Sequence, residues 1–304
     1  METNADIRIG DLISQSTTAP QLVMLGFTCD EGVARNSGRI GAAKAPDIIR
    51  KEFSKMTPCP NVYQHFANIM SHTTDLGDID IDGLSMEDAQ AVLGETITPY
   101  LEQGTRVIIL GGGHETSFGH FLGYVQAKLP VRILNWDAHA DVRPLKNGKG
   151  HSGSPFRQAL EHPSEICKGY SVAGLQPHSV ARTHLQYVRE NEGRYFFKHS
   201  TDRQRIRDQY RYRHDRSMVT FDIDAVDETC APGVSAPAAD GLKKEYWLYA
   251  NYMAGYNEHI TSYDIVEVNP EKDIDNRTSR LAALSIWYFI KGWSDRLSAI
   301  PALF

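Results

Sequence analysis

The chain has 304 residues, 41% hydrophobic and 23% charged, with 24 Gly and 14 Pro; this globular balance excludes intrinsic disorder, collagen-like repeats and a disulfide scaffold. Lys plus Arg number 32 against 38 Asp plus Glu, and the net charge of −6 gives no general attraction to nucleic acid or to an acidic membrane face. The first residues lack the basic-then-apolar order of a secretory leader. The apolar stretch 281–290 is too short to span a bilayer, and Cys29, Cys59, Cys167 and Cys230 follow no metal or disulfide spacing. The expectation is a cytoplasmic protein with no membrane and no nucleic-acid partner.

Five apolar runs of strand type follow in chain order, at 21–26, 106–110, 131–136, 217–221 and 260–268. Amphipathic helical patterns lie between and after them, at 86–102 and 278–292. Short apolar runs that end on Gly, Asp or Asn and alternate with helices predict an α/β fold with a mainly parallel sheet covered on both faces. In such sheets ligands bind beyond the carboxyl ends of the strands. Every chemically distinctive residue of this sequence falls there.

The second run leads into Gly111-Gly112-Gly113-His114, and the third into Asp137-Ala138-His139-Ala140-Asp141. The fourth leads into Asp222-Ile223-Asp224. If the backbone stays extended, Asp137, His139 and Asp141 face one side, and Asp222 and Asp224 repeat the spacing. Four carboxylates meeting at one sheet edge repel one another unless divalent cations bind between them. Carboxylates mixed with imidazoles suit Mn²⁺ better than the thiolate sites of structural zinc.

The blocks Gly-Gly-Gly-His114-Glu, Asn135-Trp-Asp137-Ala-His139-Ala-Asp141, Thr220-Phe-Asp222-Ile-Asp224 and Glu267-Val-Asn-Pro270 resemble, in order and spacing, those of the ureohydrolase (arginase–agmatinase) superfamily. Within it, His151-Ser-Gly-Ser-Pro-Phe-Arg157-Gln158 and Ala231-Pro-Gly-Val-Ser-Ala-Pro237 are similar to formimidoylglutamases. The resemblance covers nearly the whole chain. It implies a single three-layer αβα catalytic domain with a mainly parallel, eight-stranded sheet and two Mn²⁺. One ion would be held by His114, Asp137, Asp141 and Asp222, and the other by Asp137, His139, Asp222 and Asp224. The implied activity is hydrolysis of N-formimidoyl-L-glutamate to L-glutamate and formamide, in histidine degradation, by a metal-bridging hydroxide. An agmatinase or guanidino-acid hydrolase on the same centre, or a non-catalytic metal-binding protein of the same fold, stays open.

The resemblance also assigns roles. Asp141 would orient the nucleophile, and Glu267 would hold the cationic amidine. Arginases carry a proton-shuttling His at the position matched by Ser152; here His151, one residue earlier, is the candidate shuttle and Ser152 a substrate contact. Arg143 and Arg157 on the same loop are candidate partners for the two carboxylates of a small dianionic amidine, since guanidinium forks match carboxylates.

Four other features carry less. Asp78-Ile-Asp80-Ile-Asp82-Gly83 opens like a calcium loop, but Ala89 stands where the bidentate Glu is needed. Gly111-Gly112-Gly113 lacks the Lys-Ser/Thr of a phosphate loop. The arginines between Arg203 and Arg216, with Tyr210 and Tyr212, are interleaved by Asp202, Asp208 and Asp215, and suit a solvated helix or a subunit contact in a homo-oligomer. Cys230, close behind the metal aspartates, suits a small packing role.

Overall fold

The computed structural model describes residues 6–14, 17–211 and 215–301. Strands β1 (Leu22–Phe27), β2 (Thr73–Asp78), β3 (Arg106–Gly111), β4 (Val131–Trp136), β5 (Cys167–Leu175), β6 (Arg194–Phe197), β7 (Ser217–Asp222) and β8 (Ile260–Val266) form one sheet. Their order is β2-β1-β3-β8-β7-β4-β5-β6, and every neighbouring pair is parallel. All carboxyl ends therefore open on one edge.

Successive side chains of a strand point to opposite faces, so each central strand feeds two cores. In β3, Val107 and Ile109 join Leu93, Ile97 and Phe121 on one side. Ile108 and Leu110 join Ile286, Phe289 and Trp247 on the other. The first side is covered by α4 (Met86–Glu102) and α5 (Thr116–Gln126), and the second by α9 (Lys244–Tyr256) and α10 (Arg277–Leu297). The remaining helices are α1 (Glu31–Arg35), α2 (Ala45–Ser54), α3 (Tyr63–Ser71), α6 (Pro155–Leu160), α7 (Arg182–Glu190) and α8 (Arg203–Arg211). Among the described residues no helix is long and apolar enough to cross a membrane.

Helix α4 has the bounds its pattern predicts, because the Ser85 hydroxyl caps it by accepting from the Asp88 N–H at 3.1 Å. The predicted run 260–268 ends early, at Val266, since Glu267 turns to φ +66°. Strands β2, β5 and β6 carry no strong signal of their own. β2 and β6 are the edges of the sheet and are not fully buried. β5 is rich in small residues and is broken by Gly169 and Gly174 at φ +147° and +101°.

Helices α9 and α10 cross at glycine contacts. A Cβ at Gly255 would lie 1.8 Å from the Phe289 carbonyl oxygen, and one at Gly292 would lie 2.0 Å from that of Tyr252. Because backbone, not a flexible side chain, fills the space, Gly255→Ala should destabilise the fold by about 1–3 kcal/mol or more, read as a lowered denaturation midpoint. An unchanged midpoint would mean that the helices slide apart freely.

Candidate metal centre

Four strands adjacent in the sheet, β3, β8, β7 and β4, deliver the four motifs to neighbouring places on the carboxyl edge. His114 follows β3, Glu267 follows β8, Asp222 ends β7 and Asp137 follows β4. Gly112 lets the loop after β3 pack against the loop after β1: a Cβ there would lie 2.0 Å from the Cys29 carbonyl oxygen. The glycine run thus serves close backbone packing.

The carboxylates converge by turns and not by extended backbone. Asp137 Oδ1 accepts the His139 N–H at 2.6 Å, and Asp222 Oδ1 accepts the Asp224 N–H at 2.9 Å. Each aspartate thereby folds its own loop back on itself. Asp141 lies at φ +43°, an unusual backbone state for a non-glycine residue, and Glu267 does the same at φ +66°. Strand alternation does not survive past Trp136; local turn bonds replace it.

The result is two ligand groups, His114 with Asp137, Asp141 and Asp222, and His139 with Asp137 and Asp224. His114 Nδ1 lies 3.4 Å from Asp137 Oδ2, 2.9 Å from Asp141 Oδ2 and 3.0 Å from Asp222 Oδ2. His139 Nδ1 lies 3.4 Å from Asp137 Oδ1 and 3.2 Å from Asp224 Oδ2. Asp137 therefore offers one oxygen to each group, as a bridging ligand does. Asp222 stands with the first group.

Burial makes this arrangement electrostatically costly. His114 and Asp137 are completely buried, and Asp222, Asp224, Asp141 and Glu267 nearly so. Two like charges about 4 Å apart repel by roughly 4 kcal/mol at the effective dielectric of a protein. Burial, with the charges of Asp224 and Asp137 beside it, pushes the Asp222 carboxyl well above the usual range. Burial likewise raises Glu267 to about 8, with Glu115 and Asp224 adding to the shift. For His114 burial opposes the charged ring, but Asp141 and Asp222 outweigh it and hold its pKa well above the ordinary value. His139 behaves the same way, through Asp224 and Asp137. Even two imidazolium rings would balance only two of the four aspartates.

The cluster also leaves buried polar atoms without hydrogen-bond partners. His114 Nδ1 is close to three carboxylates yet makes a hydrogen bond with none, and Asp224 Oδ1 has no partner either. Nδ1 therefore points between the oxygens, where a cation would sit. An imidazole nitrogen and carboxylate oxygens, aimed at a common space and short of positive charge, fit divalent cations.

A cavity of about 310 Å³ opens beside the cluster, with His139, Asp141, Asp222, Asp224 and Glu267 in its wall. Arg143 and Ser152 line it, as do Asn36, Arg39 and Ser235, which sequence reasoning missed. Asn36 and Arg39 share one loop that no motif marks, whereas Ser235 lies in the block 231–237, which the sequence singled out without assigning Ser235 a role. Arg143 Nη1 donates to Asn36 Oδ1 at 3.3 Å, and Asn36 Nδ2 donates to Ser152 Oγ at 3.2 Å. Arg39 is committed to the loop opposite, through the carbonyl oxygens of Ser235 and Val234.

His151 and Arg157 do not line the cavity. His151 Nδ1 accepts the Gly153 N–H at 3.1 Å, and Nε2 lies 3.1 Å from the Pro144 carbonyl oxygen. Burial keeps its pKa below the ordinary imidazole value. The Arg157 guanidinium lies 3.9 Å from the Tyr187 ring centroid and donates to Val142 O and Glu161 Oε1. Of the other features, Asp78 accepts from Arg50, and Tyr210 is buried and accepts from Trp136 Nε1. Arg203 lies 5.6 Å from the Tyr249 ring centroid, while Tyr212 and Arg213 lie outside the described residues. Cys230 packs, partly buried, against the core.

Residues 20–291 match the family model described as the Arginase family. The chain is 33% identical over 275 residues to a formimidoylglutamase of Lysinibacillus sphaericus, spanning 87% of this chain and 82% of that protein. It is 35% identical over 276 residues to one of Rhodococcus jostii, spanning 86% and 82%. A crystal structure of Trypanosoma cruzi formiminoglutamase with Mn²⁺ superposes with a TM-score of 0.86 at 28% identity, covering 96% of this chain and 99% of that one.

The cluster should make stability depend on cations. A divalent cation at about 100 times its dissociation constant should stabilise the chelator-treated protein by about 2.7 kcal/mol. Asp137→Ala, which removes the shared carboxylate, should abolish that rise in Tm. A rise that survives the substitution would show that the cations bind elsewhere.

Proposed function

The chain belongs to the arginase family, and from that premise we propose that it is a Mn²⁺-dependent hydrolase of N-formimidoyl-L-glutamate, releasing L-glutamate and formamide. The observation that carries this reading is the pair of ligand groups sharing Asp137, set in the wall of a cavity that Arg143 also lines. His114, Asp137, Asp141 and Asp222 would hold one Mn²⁺, and Asp137, His139 and Asp224 the other, to which Asp222 could add the remaining lone pair of its Oδ1. The metal pair supplies acidification of water, so that hydroxide is available at neutral pH.

The protein's own residues do the rest. Asp141 belongs to both the cluster and the cavity wall, so its carboxylate can take a hydrogen bond from the attacking water and orient it. Water adds to the formimidoyl carbon, the bond from that carbon to the glutamate nitrogen breaks, and the nitrogen leaves carrying a proton. Glu267, held by the His114 N–H at 2.8 Å, faces the cavity as the anionic partner for the amidinium. A bound cation restores the charged state that burial disfavours in this carboxyl, so the cationic amidine is favoured over a neutral amide.

Arg143 supplies the anion contact. Its one side-chain hydrogen bond among the described contacts is the long one to Asn36, so most of its donors are available to a substrate carboxylate. A cationic amine such as agmatine would meet repulsion there. Ser152 and Asn36 would hold Arg143 in place, and His151 holds the turn that presents Ser152. The net charge of −6 and the four unpaired cysteines support a setting in the reducing cytoplasm without a nucleic-acid partner.

A substrate panel with Mn²⁺-loaded protein tests the reading. Formimidoylglutamate should be turned over well and arginine and agmatine poorly; faster agmatine turnover would install the agmatinase alternative. Arg143→Ala should lower kcat/KM by roughly 10- to 150-fold with Mn²⁺ content unchanged, while Arg157→Ala should have a much smaller effect. Equal losses would show that Arg157 turns into the cavity during catalysis. His151→Asn should lower kcat/KM without altering the shape of its pH profile, because the ring bonds to backbone; a lost titration limb would identify it as the shuttle instead.

A further inference from the structure

Helix α5 turns a polar stripe toward the sheet, where helical periodicity leads one to expect apolar residues. Ser117, His120 and Tyr124 are all buried and share one helix face at i, i+3 and i+7. Opposite them, Ser262 and Asp264 occupy alternate positions of β8 and are completely buried. His120 Nδ1 lies 2.6 Å from Asp264 Oδ2, and its Nε2 lies 2.5 Å from Ser262 Oγ, which also meets the Tyr124 hydroxyl at 2.5 Å. None of these residues lines the cavity. A buried carboxylate and imidazole in a hydrophobic layer contribute little net stability compared with apolar side chains of the same volume.

The seam continues to the centre. Ser117 Oγ lies 3.2 Å from both Asp264 oxygens and 2.9 Å from Thr220 Oγ1, and Thr220 Oγ1 lies 3.1 Å from His114 Nε2. Each hydroxyl has a single proton, which fixes the direction of the chain. The Asp264 carboxylate can only accept, so Ser117 donates to it. Ser117 oxygen is then the acceptor for Thr220, and Thr220 oxygen the acceptor for His114 Nε2–H. His114 Nδ1, the atom left without a hydrogen bond among three carboxylates, keeps its lone pair for a cation.

We propose that Asp264 is a positioning residue for the metal centre, acting through Ser117 and Thr220 to hold His114 in the tautomer that ligates through Nδ1. The proposal rests on the dinuclear reading above. It accounts for the burial of His120, which clamps the second oxygen of Asp264 and keeps the carboxylate turned toward Ser117. It also explains why the stripe on α5 is polar: the helix that begins just after His114 carries the groups that orient it.

Mn²⁺ titration by calorimetry, with free Mn²⁺ followed by electron paramagnetic resonance, tests this directly. Ser117→Ala cuts the relay and leaves the His120–Asp264 pair intact; it should weaken Mn²⁺ binding about 10- to 100-fold, in the range of outer-shell ligand partners. Thr220→Val should do the same, and Thr220→Ser, which keeps the hydroxyl, should restore most of the affinity. Asp264→Asn should weaken binding in the unaltered chain but add little on top of Ser117→Ala, because the relay is already broken. A purely structural role would lower Tm and leave the Mn²⁺ constants alike. Unchanged Mn²⁺ affinity in both Ser117→Ala and Thr220→Val overturns the proposal, as does full additivity of Asp264→Asn with Ser117→Ala. If Asp264→Asn does not fold, the Ser117 and Thr220 variants decide alone. Failure of the unaltered chain to bind Mn²⁺ would overturn the dinuclear reading itself.

Discussion

Four aspartates and two histidines crowded into a largely buried edge of the sheet form the constraint on which the structure turns. Their mutual repulsion is tolerable only where positive charge can enter, and everything near them is arranged to keep them close despite it. Turn hydrogen bonds from Asp137 and Asp222 fold the loops inward, and left-handed backbone at Asp141 and Glu267 aims two more carboxylates. Such strained positions persist when the surroundings over-determine them. Here the surroundings are four central strands whose apolar cores fix where each loop begins.

The proposed selectivity rests on the charges lining the cavity. Its lining combines Asp141, Asp222, Asp224 and Glu267 with Arg143, so a ligand with a cationic head and an anionic tail would find a partner for each charge. The loop from Asp141 to Arg157 divides its labour. Arg143 and Ser152 face the cavity, whereas His151 and Arg157 bind backbone, Glu161 and Tyr187 and so hold the loop in shape. Residues of one type, a few positions apart, thus serve different ends because the loop turns between them.

Polar groups in the interior follow the same logic. His120 and Asp264 are costly to bury, yet their position in a directed hydrogen-bond chain ending on a ligand gives them a reason to be there. The glycines at the α9–α10 crossing and at Gly112 serve close approach of backbones, and through it they set the distances that the loops inherit.

The sequence by itself determined the sheet's central strands, two of the covering helices, α4 and α10, and the six ligand-type side chains that the fold gathers. Apolar runs ending on Asp or Gly are local signals, and Asp137-Ala-His139-Ala-Asp141 carries its chemistry in its own spacing. The edge strands and β5 were not legible, because half-buried and glycine-rich segments lack a hydrophobic pattern. Tertiary structure alone decided how the ligands meet, which proved to be by turns after the strands end and not by alternation along them. It also decided which residues share the cavity. Asn36 reaches Arg143 and Ser152, and Arg39 reaches Ser235, only through the packing of loops more than a hundred residues apart, and His151 and Arg157 turn away for the same reason. Side-chain direction in a loop depends on backbone turns and distant partners, and no one-dimensional spacing encodes it.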